Sequence, residues 1–428
     1  MRTIKYAGVM AGCIGLLIFG LFIVDWLILI FIVPLLFLLF AGLLSFYDEP
    51  VKIEVSRDLS NVKIFEYDTV KVALKLKNLG ENIKFLEIYD SLPNKVKVVK
   101  GTNYSVLNLE KNEEIEIKYE ISCPIRGRYS LGPLRVRAKD YFDLFYKESI
   151  VNTSSELTVI PQMEEIRAIA VKSKPNIYPG IMHTKNAGIG TEFYGIRNYT
   201  TGDTFKKINW KSFARHNDLM VNEFESESTT DAILIVDARE IQSTGTIKHN
   251  PLEYGVKAAV SIASHFLKRR DRVGLIAYGS SQGELKWVYP ESGKNQLYKI
   301  IEETVSIQAN GDFPFNGVIY RSSTHLLPKK ALIIFISSLE NDLTIPEGIE
   351  QLIGLGHNII VLSPSPVDIE YSLQKVDKNH DLAHKLLSFK RKNIITQLRN
   401  TGARVVEWDP AQPLAVSLKE VEKCQIRR

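Results

Sequence analysis

A chain of 428 residues is long enough for two globular domains of about 100–200 residues each, with sequence to spare. Its composition, 45% hydrophobic and 24% charged, excludes a wholly disordered chain, and the lack of long Gly, Pro or Ser tracts excludes a fibrous one. A net charge of +5 is too small and too dispersed to support a nucleic-acid function, and three cysteines (Cys13, Cys123, Cys424) are too few and scattered for a disulfide framework or thiolate metal site.

Residues 1–48 predict a transmembrane helical hairpin with arms Ala7 to Val24 and Trp26 to Phe46. Each arm approaches the ~20 apolar residues that cross ~30 Å of hydrocarbon and outruns a secretory apolar region. Asp25, costly at the bilayer centre, falls at the turn beside the interfacial ring of Trp26. Arg2 and Lys5 before the first arm, with Lys52 after the second, put the amino terminus in the cytoplasm. Two spans would keep the soluble body there, and one effective crossing would reverse it. Membrane lipid is the first expected partner and the cell membrane the expected location.

Residues 49–162 carry short alternating runs, VKIEV, TVKVALKLKN, FLEIYD, KVKVV, EIEIKYEI, LRVRAKD and ELTVI, separated by turn residues. Period two at this spacing predicts an all-β, immunoglobulin-like sandwich. Val70, Val72, Leu74 and Leu76 fall on one face and Lys71, Lys75 and Lys77 on the other, the pattern of a half-buried sheet. No histidine occurs here, which favours a spacer or docking module over an enzyme.

Residues 163–230 read as a linker followed by a segment of unusual chemistry. The stretch 171–191 is turn-rich and aperiodic, which predicts an extended loop. Beyond it, Phe193, Tyr194, Tyr199, Phe205, Trp210 and Phe213 alternate with Arg197, Lys206, Lys207, Lys211 and Arg215, and with Glu223, Glu225 and Glu227. One reading makes this a surface whose Arg197, Lys211 and Arg215 meet an acidic protein segment or an anionic ligand. The other plugs Trp210 and Phe213 into the core, with Asp203, Arg215 and the glutamates closing internal ion pairs. An enzyme drawing acid and base from Asp203, Glu223 or Glu227 against Arg215 is a further alternative. The three glutamates argue against stacking on nucleic acid.

Residues 231–428 alternate strand and helix: AILIVD, PLEYGVKAAVSIASHFLKR, DRVGLIAYG, KWVYP, QLYKIIEETVSI, ALIIFISS, EGIEQLIGLG, NIIVLSP, HKLLSFKRKNIITQLRN and ARVVEW. This predicts an α/β Rossmann-like domain with helices on both faces of the sheet. Its strand ends place Asp237, Arg239, Glu240, Gly279, Ser280, Ser337 and Ser338 where ligands bind in such folds. Neither GxGxxG nor GxxxxGK[ST] occurs, so no directly bound nucleotide is expected. His265 is expected to pack or cap locally.

The run GDTFKKINWKSFAR, Gly202 to Arg215, resembles the signature of the domain of unknown function 58 family, GD-x-x-R-x-I-x-W-x-x-x-AR. Glu192, Arg197 and Tyr199 precede it and Glu223 and Glu227 follow at the family spacing. Asn78, Asp90, Pro93, the run Arg126 to Tyr129, Gly132, Pro133 and the run Asp140 to Phe145 resemble its landmarks in the β region. The resemblance implies a von Willebrand factor A-like domain over 231–428, in which a metal-binding member carries D-x-S-x-S. Here those positions are Asp237, Arg239 and Ile241, with Ser337 and Ser338 at the later strand end. A positively charged Arg239 there predicts a degenerate site, no cofactor and no metal. Metal-dependent ligand binding through Asp237 and Ser337 or Ser338 is the alternative. The resemblance further implies a non-enzymatic adaptor or assembly factor acting with a MoxR-type AAA+ ATPase or its client protein.

Overall fold

The computed structural model describes residues 3–23, 30–45, 51–140, 142–166, 183–216, 218–227, 230–279, 283–322, 327–340, 344–373 and 378–423. They form two units, Met1–Ile160 and Pro161–Arg428.

The first unit opens with helix α1 (Ile4–Ile23), which is long and apolar enough to cross a membrane. At 1.5 Å per residue it is ~30 Å long. Helix α2 (Ile32–Ser45) has 14 residues, or ~21 Å. Pro34 sits in its first turn, where its missing N–H breaks no helical bond. Among the described residues one helix has spanning length and a shorter apolar helix packs on it; the rest of the expected second arm lies outside the described residues. Asp25 and Trp26 lie outside the described residues.

Both helices reach the run Asp140 to Phe145. The Asp140 carboxylate accepts the backbone N–H groups of Leu144 (2.7 Å) and Phe145 (2.8 Å), which bends the chain into a tight turn. Thr3 N donates to Leu144 O at 3.0 Å, Lys5 pairs with Asp143 at 2.9 Å, and the Tyr6 and Phe145 rings meet at 5.3 Å. Gly42 of α2 packs so closely that an added Cβ would lie 3.0 Å from Asp140 Oδ2. The run that resembles a family landmark is therefore the seat of the apolar helices.

The rest of this unit is β-rich. Its strands are β1 (Ile53–Leu59), β2 (Lys63–Phe65), β3 (Thr69–Asn78), β4 (Ile83–Asp90), β5 (Lys97–Lys100), β6 (Tyr104–Leu109), β7 (Glu114–Ser122), β8 (Gly127–Leu131), β9 (Leu134–Lys139), β10 (Tyr146–Val151) and β11 (Ser155–Ile160). They pair in the orders β1-β3-β7-β5, β10-β9-β4-β6 and β2-β11-β8. In β3 the alternation is as the sequence predicts: Val70, Val72, Leu74 and Leu76 are buried while Lys71 and Lys77 are exposed. Strands β2, β6, β8 and β10 were absent from the predicted runs. They are short or peripheral, and their pairing partners supply the order that their own pattern does not.

A buried ion pair crosses this core. Arg57 of β1 forks onto Asp90 at the end of β4, and Tyr119 of β7 donates its hydroxyl to the same carboxylate. The remaining guanidinium hydrogens reach Leu131 O and Thr153 O, both at 2.7 Å. Burial and the Asp90 carboxylate hold the Tyr119 phenol above its ordinary range. Asn78 is likewise internal: its amide donates to Glu81 O and Glu110 O and accepts from Gly80 N.

In the second unit, β12 (His183–Asn198) and β13 (Met220–Glu227) pair antiparallel with irregular register, enclosing the short helix α3 (Trp210–His216). The aperiodic stretch is thus partly strand from His183 onward, and not wholly a loop. There follow β14 (Asp231–Asp237), α4 (Pro251–Lys268), β15 (Arg272–Tyr278), β16 (Lys286–Glu291), α5 (Lys294–Val305), α6 (Phe315–Ser322), β17 (Leu332–Ile336), α7 (Thr344–Gly354), β18 (Asn358–Pro364), α8 (Pro366–Leu373), α9 (Lys378–Asn400), β19 (Arg404–Trp408) and α10 (Leu414–Lys423).

The sheet order is β16-β15-β14-β17-β18-β19, parallel except for the edge strand β16. Alternate residues of β14 enter different cores. Ala232, Leu234 and Val236 pack with α4, α5 and α10, while Ile233 and Ile235 pack with α6, α7 and α9. Both faces being covered explains why this strand reads as a continuous apolar run. Glu164 and Ile166 are tied to this unit: Glu164 accepts Leu414 N at 2.8 Å, and Ile166 O lies 2.8 Å from His265 Nδ1.

Replacing Arg57 by Met leaves the Asp90 charge buried without its cation and is expected to cost about 3–5 kcal/mol. Urea dependence of amide exchange in β3 and β7 measures this. The double change Arg57→Met, Asp90→Leu is expected to recover much of the loss.

Candidate functional site

The chain between β12 and β13 forms a braced tip. Tyr199 N donates to Leu219 O and Asn209 N to Met220 O, at 2.8 and 2.9 Å, and Ile208 bridges Val221. Ile208 and Val221 are buried beneath it. Gly202 holds φ +115°, a conformation that excludes most side chains and explains the glycine of the GD pair. Asn209 caps α3 by accepting Ser212 N at 3.0 Å and donates to Asn222 at 2.8 Å. Neither asparagine was among the predicted site residues, although Asn just before a helix is a readable cap.

Arg197 is the hub of the brace. Its guanidinium forks onto Asp203 at 2.7 and 2.6 Å, and its Nε donates to Glu223 at 2.9 Å. Asp203 also accepts Thr200 N (2.9 Å) and Thr200 Oγ1 (3.0 Å). Arg197 and the Thr200 N–H hold the Asp203 carboxyl well below the usual carboxylate range, and Asp203, with Glu223, raises Arg197. Arg197 reaches Glu223 because they are diagonal neighbours across the strand pair: Arg197 stands opposite Val221, and Glu223 opposite Gly195.

Two sequence expectations are corrected here. Asp203 and Glu223, two of the three carboxylates expected against Arg215, pair with Arg197 and not with Arg215. Trp210 does not plug the core. It is 61% exposed, touching the half-buried Phe213 ring edge-on at 6.3 Å, and Phe205 is 75% exposed. Lys206, Lys211 and Arg215 are exposed beside them and make no ion pair among the described residues. Tyr199 is half-buried, Glu192 lies on β12 and Glu227 pairs in register with His183; the side chains of Glu192 and Glu227 lie outside the described ones.

The end of β14 holds a second constellation. Asp237 Oδ1 accepts Arg239 N (3.1 Å) and Nε (3.0 Å); Oδ2 accepts Arg239 Nη2, Gln242 Nε2 and Ser337 Oγ, each at 2.8 Å. The Arg239 side chain is 1% exposed. These residues do not fit a divalent cation: the guanidinium takes up both carboxylate oxygens, and the half-buried Ile241 offers no ligand atom. Gln242, which sequence reasoning passed over, supplies the polar group that Ile241 cannot, and its Oε1 accepts Ser338 N. Glu240 N donates to Gly311 O at 2.8 Å. At Gly279 (φ +133°) a Cβ would sit 2.4 Å from Arg239 N, so only glycine lets the strand end approach this loop. Ser280 lies outside the described residues. Among the described residues no group of three or more His, Cys, Asp or Glu could hold a metal ion.

The chain thus combines an apolar amino-terminal helix, a β-rich region and a mixed α/β sheet whose central acidic strand end is neutralised internally. Residues 195–351 match the family model described as protein of unknown function DUF58, a stretch that takes in the tip and strands β14 to β17. The uncharacterized protein YeaD of Bacillus subtilis (strain 168) is 24% identical over 284 residues, 64% of this chain and 67% of that protein. Among solved structures, a CARDB domain from Pyrococcus furiosus, determined in complex with di-metal ions, shares 11% identity over 27% of this chain and 98% of its own, with a TM-score of 0.21. A FixG-related protein from Vibrio parahaemolyticus shares 14% over 26% of this chain and 98% of its own, with a TM-score of 0.18. Neither structural likeness carries an argument about fold or function.

Two outcomes follow. Because the folded Asp203 carboxyl lies below its unfolded value, its contribution to tip order is complete above the ordinary carboxyl range near pH 4 and declines as pH falls below it. Protection of the Thr200 amide, measured by hydrogen exchange, should follow that course and fall about tenfold in Arg197→Met. Separately, Arg239→Met should lower the stability of the α/β unit by about 3–5 kcal/mol in thermal unfolding, because Asp237 stays buried without its cation.

Proposed function

We propose that the protein is a membrane-anchored adaptor or assembly factor whose braced tip docks an acidic protein surface. The outward placement of Phe205, Trp210, Lys206, Lys211 and Arg215 on a tip held from within by Arg197 carries this reading. Exposed aromatic and arginine side chains on a preorganised scaffold are the residues that dominate binding energy, and unpaired cations beside them select an acidic partner. The partner implied by the family resemblance is a MoxR-type AAA+ ATPase or its client.

The remaining segments take supporting roles in this reading. The helix Ile4–Ile23 anchors the chain with its soluble body facing the cytoplasm, and the β-rich region is an immunoglobulin-like spacer. The α/β unit is a degenerate von Willebrand factor A-like module, a reading supported by its strand order with one antiparallel edge and by Arg239 standing where that fold would hold a cation. Protein binding there proceeds without a metal, and no catalysis is assigned.

Full-length protein purified in mild detergent is expected to recover an acidic partner protein. The double change Lys211→Glu, Arg215→Glu should reduce that recovery about tenfold or more. Its thermal unfolding should stay unchanged. Unchanged recovery, or unfolding of the variant, would overturn the docking role of these two side chains.

A further inference from the structure

Beyond the tip, a cleft of about 570 Å³ opens at the carboxyl ends of β18 and β19, between α8, α9 and the turn before α10. Its volume is in the range of small-molecule sites, and strand carboxyl ends are where parallel sheets bind ligands. The walls carry opposite charge. Helix α9 contributes His384, Lys385, Arg391 and Lys392, while Glu407 and Asp409 stand at the end of β19.

Some of these charges are already used. His384 Nε2 lies 2.9 Å from Asp368 Oδ1, and Lys385 pairs with Asp381 at 2.7 Å. Three are not. Arg391, buried at the wall, donates to Ser338 O (2.7 Å), Ser363 Oγ (2.6 Å) and Ser363 O (3.2 Å), yet makes no ion pair among the described residues, and its Nε–H meets no acceptor. Burial lowers its pKa, and the more distant Glu407, Glu340 and Asp368 carboxylates offset this only in part. Lys392 and Glu407 are exposed and without ion pairs among the described residues. The exposed Phe389 ring also lines the cleft, with Lys392 Nζ 5.5 Å from its centroid.

We infer that this cleft binds a small zwitterion, whose carboxylate faces Arg391 and Lys392, whose ammonium group faces Glu407 and Asp409, and whose methylene chain lies along Phe389. A free diamino acid and a peptide ending in lysine share this chemistry. A ligand of a single charge meets one favourable wall and one repulsive wall, so the arrangement discriminates against simple anions and simple amines.

Calorimetric titration of the full-length protein in detergent with 6-aminohexanoate, hexanoate and pentylamine tests this. The zwitterion is expected to bind with a Kd of millimolar order or tighter, and each single-charge analogue at least about tenfold more weakly. Lys392→Gln and Glu407→Gln, both at exposed positions, should each weaken 6-aminohexanoate about tenfold while thermal unfolding stays unchanged. Comparing free L-lysine with an N-acetylated peptide ending in lysine then separates the two sources, and a preference for either supports the site. No binding of 6-aminohexanoate up to about 10 mM, equal binding of hexanoate, or full affinity in both variants would overturn it. Because Lys211 and Arg215 are intact in these variants, failure here leaves the docking tip unaffected.

Discussion

The Arg239–Asp237 pair fixes the carboxyl end of the central strand, and the polar interior of the α/β unit is built outward from it. Two opposite charges this deeply buried survive because their hydrogen-bonding capacity is met locally. Asp237 accepts Ser337, Ser337 O accepts the hydroxyl of Ser363, and Ser363 Oγ accepts Arg391. One network therefore joins the ends of β14, β17 and β18 to helix α9, and its far end is the wall of the zwitterion cleft. The Arg239 guanidinium supplies the counter-charge of Asp237 from within the chain.

Three of the arginine–carboxylate pairs have different consequences. Arg57–Asp90 lies in the β core, where breaking it strands a buried charge and costs stability. Arg239–Asp237 does the same in the α/β unit. Arg197–Asp203 is solvent-accessible, so its ion-pairing energy is screened and its effect is geometric: a fork of two hydrogen bonds fixes the turn that presents Trp210 and Phe205. Similar chemistry thus stabilises in two places and shapes a surface in the third.

The proposed functional surfaces divide the same logic between them. At the tip, Arg197 engages Asp203 and Glu223, and Lys206, Lys211 and Arg215 stand beside exposed rings without an ion pair among the described residues. In the cleft, the terminal nitrogens of Arg391 are held by carbonyl and hydroxyl oxygens, which leaves its charge open to a ligand carboxylate. In the first unit, the Asp140 turn receives both apolar helices, so the β-rich region is joined to them by side-chain contacts as well as by the backbone.

The sequence by itself determined the elements whose burial follows one period. The alternation of β3, the apolar run of β14 and the 18-residue helix α4 are legible because one face, or both faces, must leave water. It also disclosed the charge substitution at Arg239 and the DUF58 motif at the tip. Only the tertiary structure decided where side chains of mixed character go. Trp210 within an apolar-spaced motif reads as a core plug, yet Ile208 and Val221 already fill the space beneath it. Arg215 is the nearer arginine to Glu223 along the chain, yet strand pairing brings Arg197 to that carboxylate instead. Arg391, Ser338 and Glu407 are far apart in sequence and meet because parallel strands deliver their ends to one edge. Periodicity reports the boundary with water; pairing and register, which require the partner strand, decide which polar groups meet.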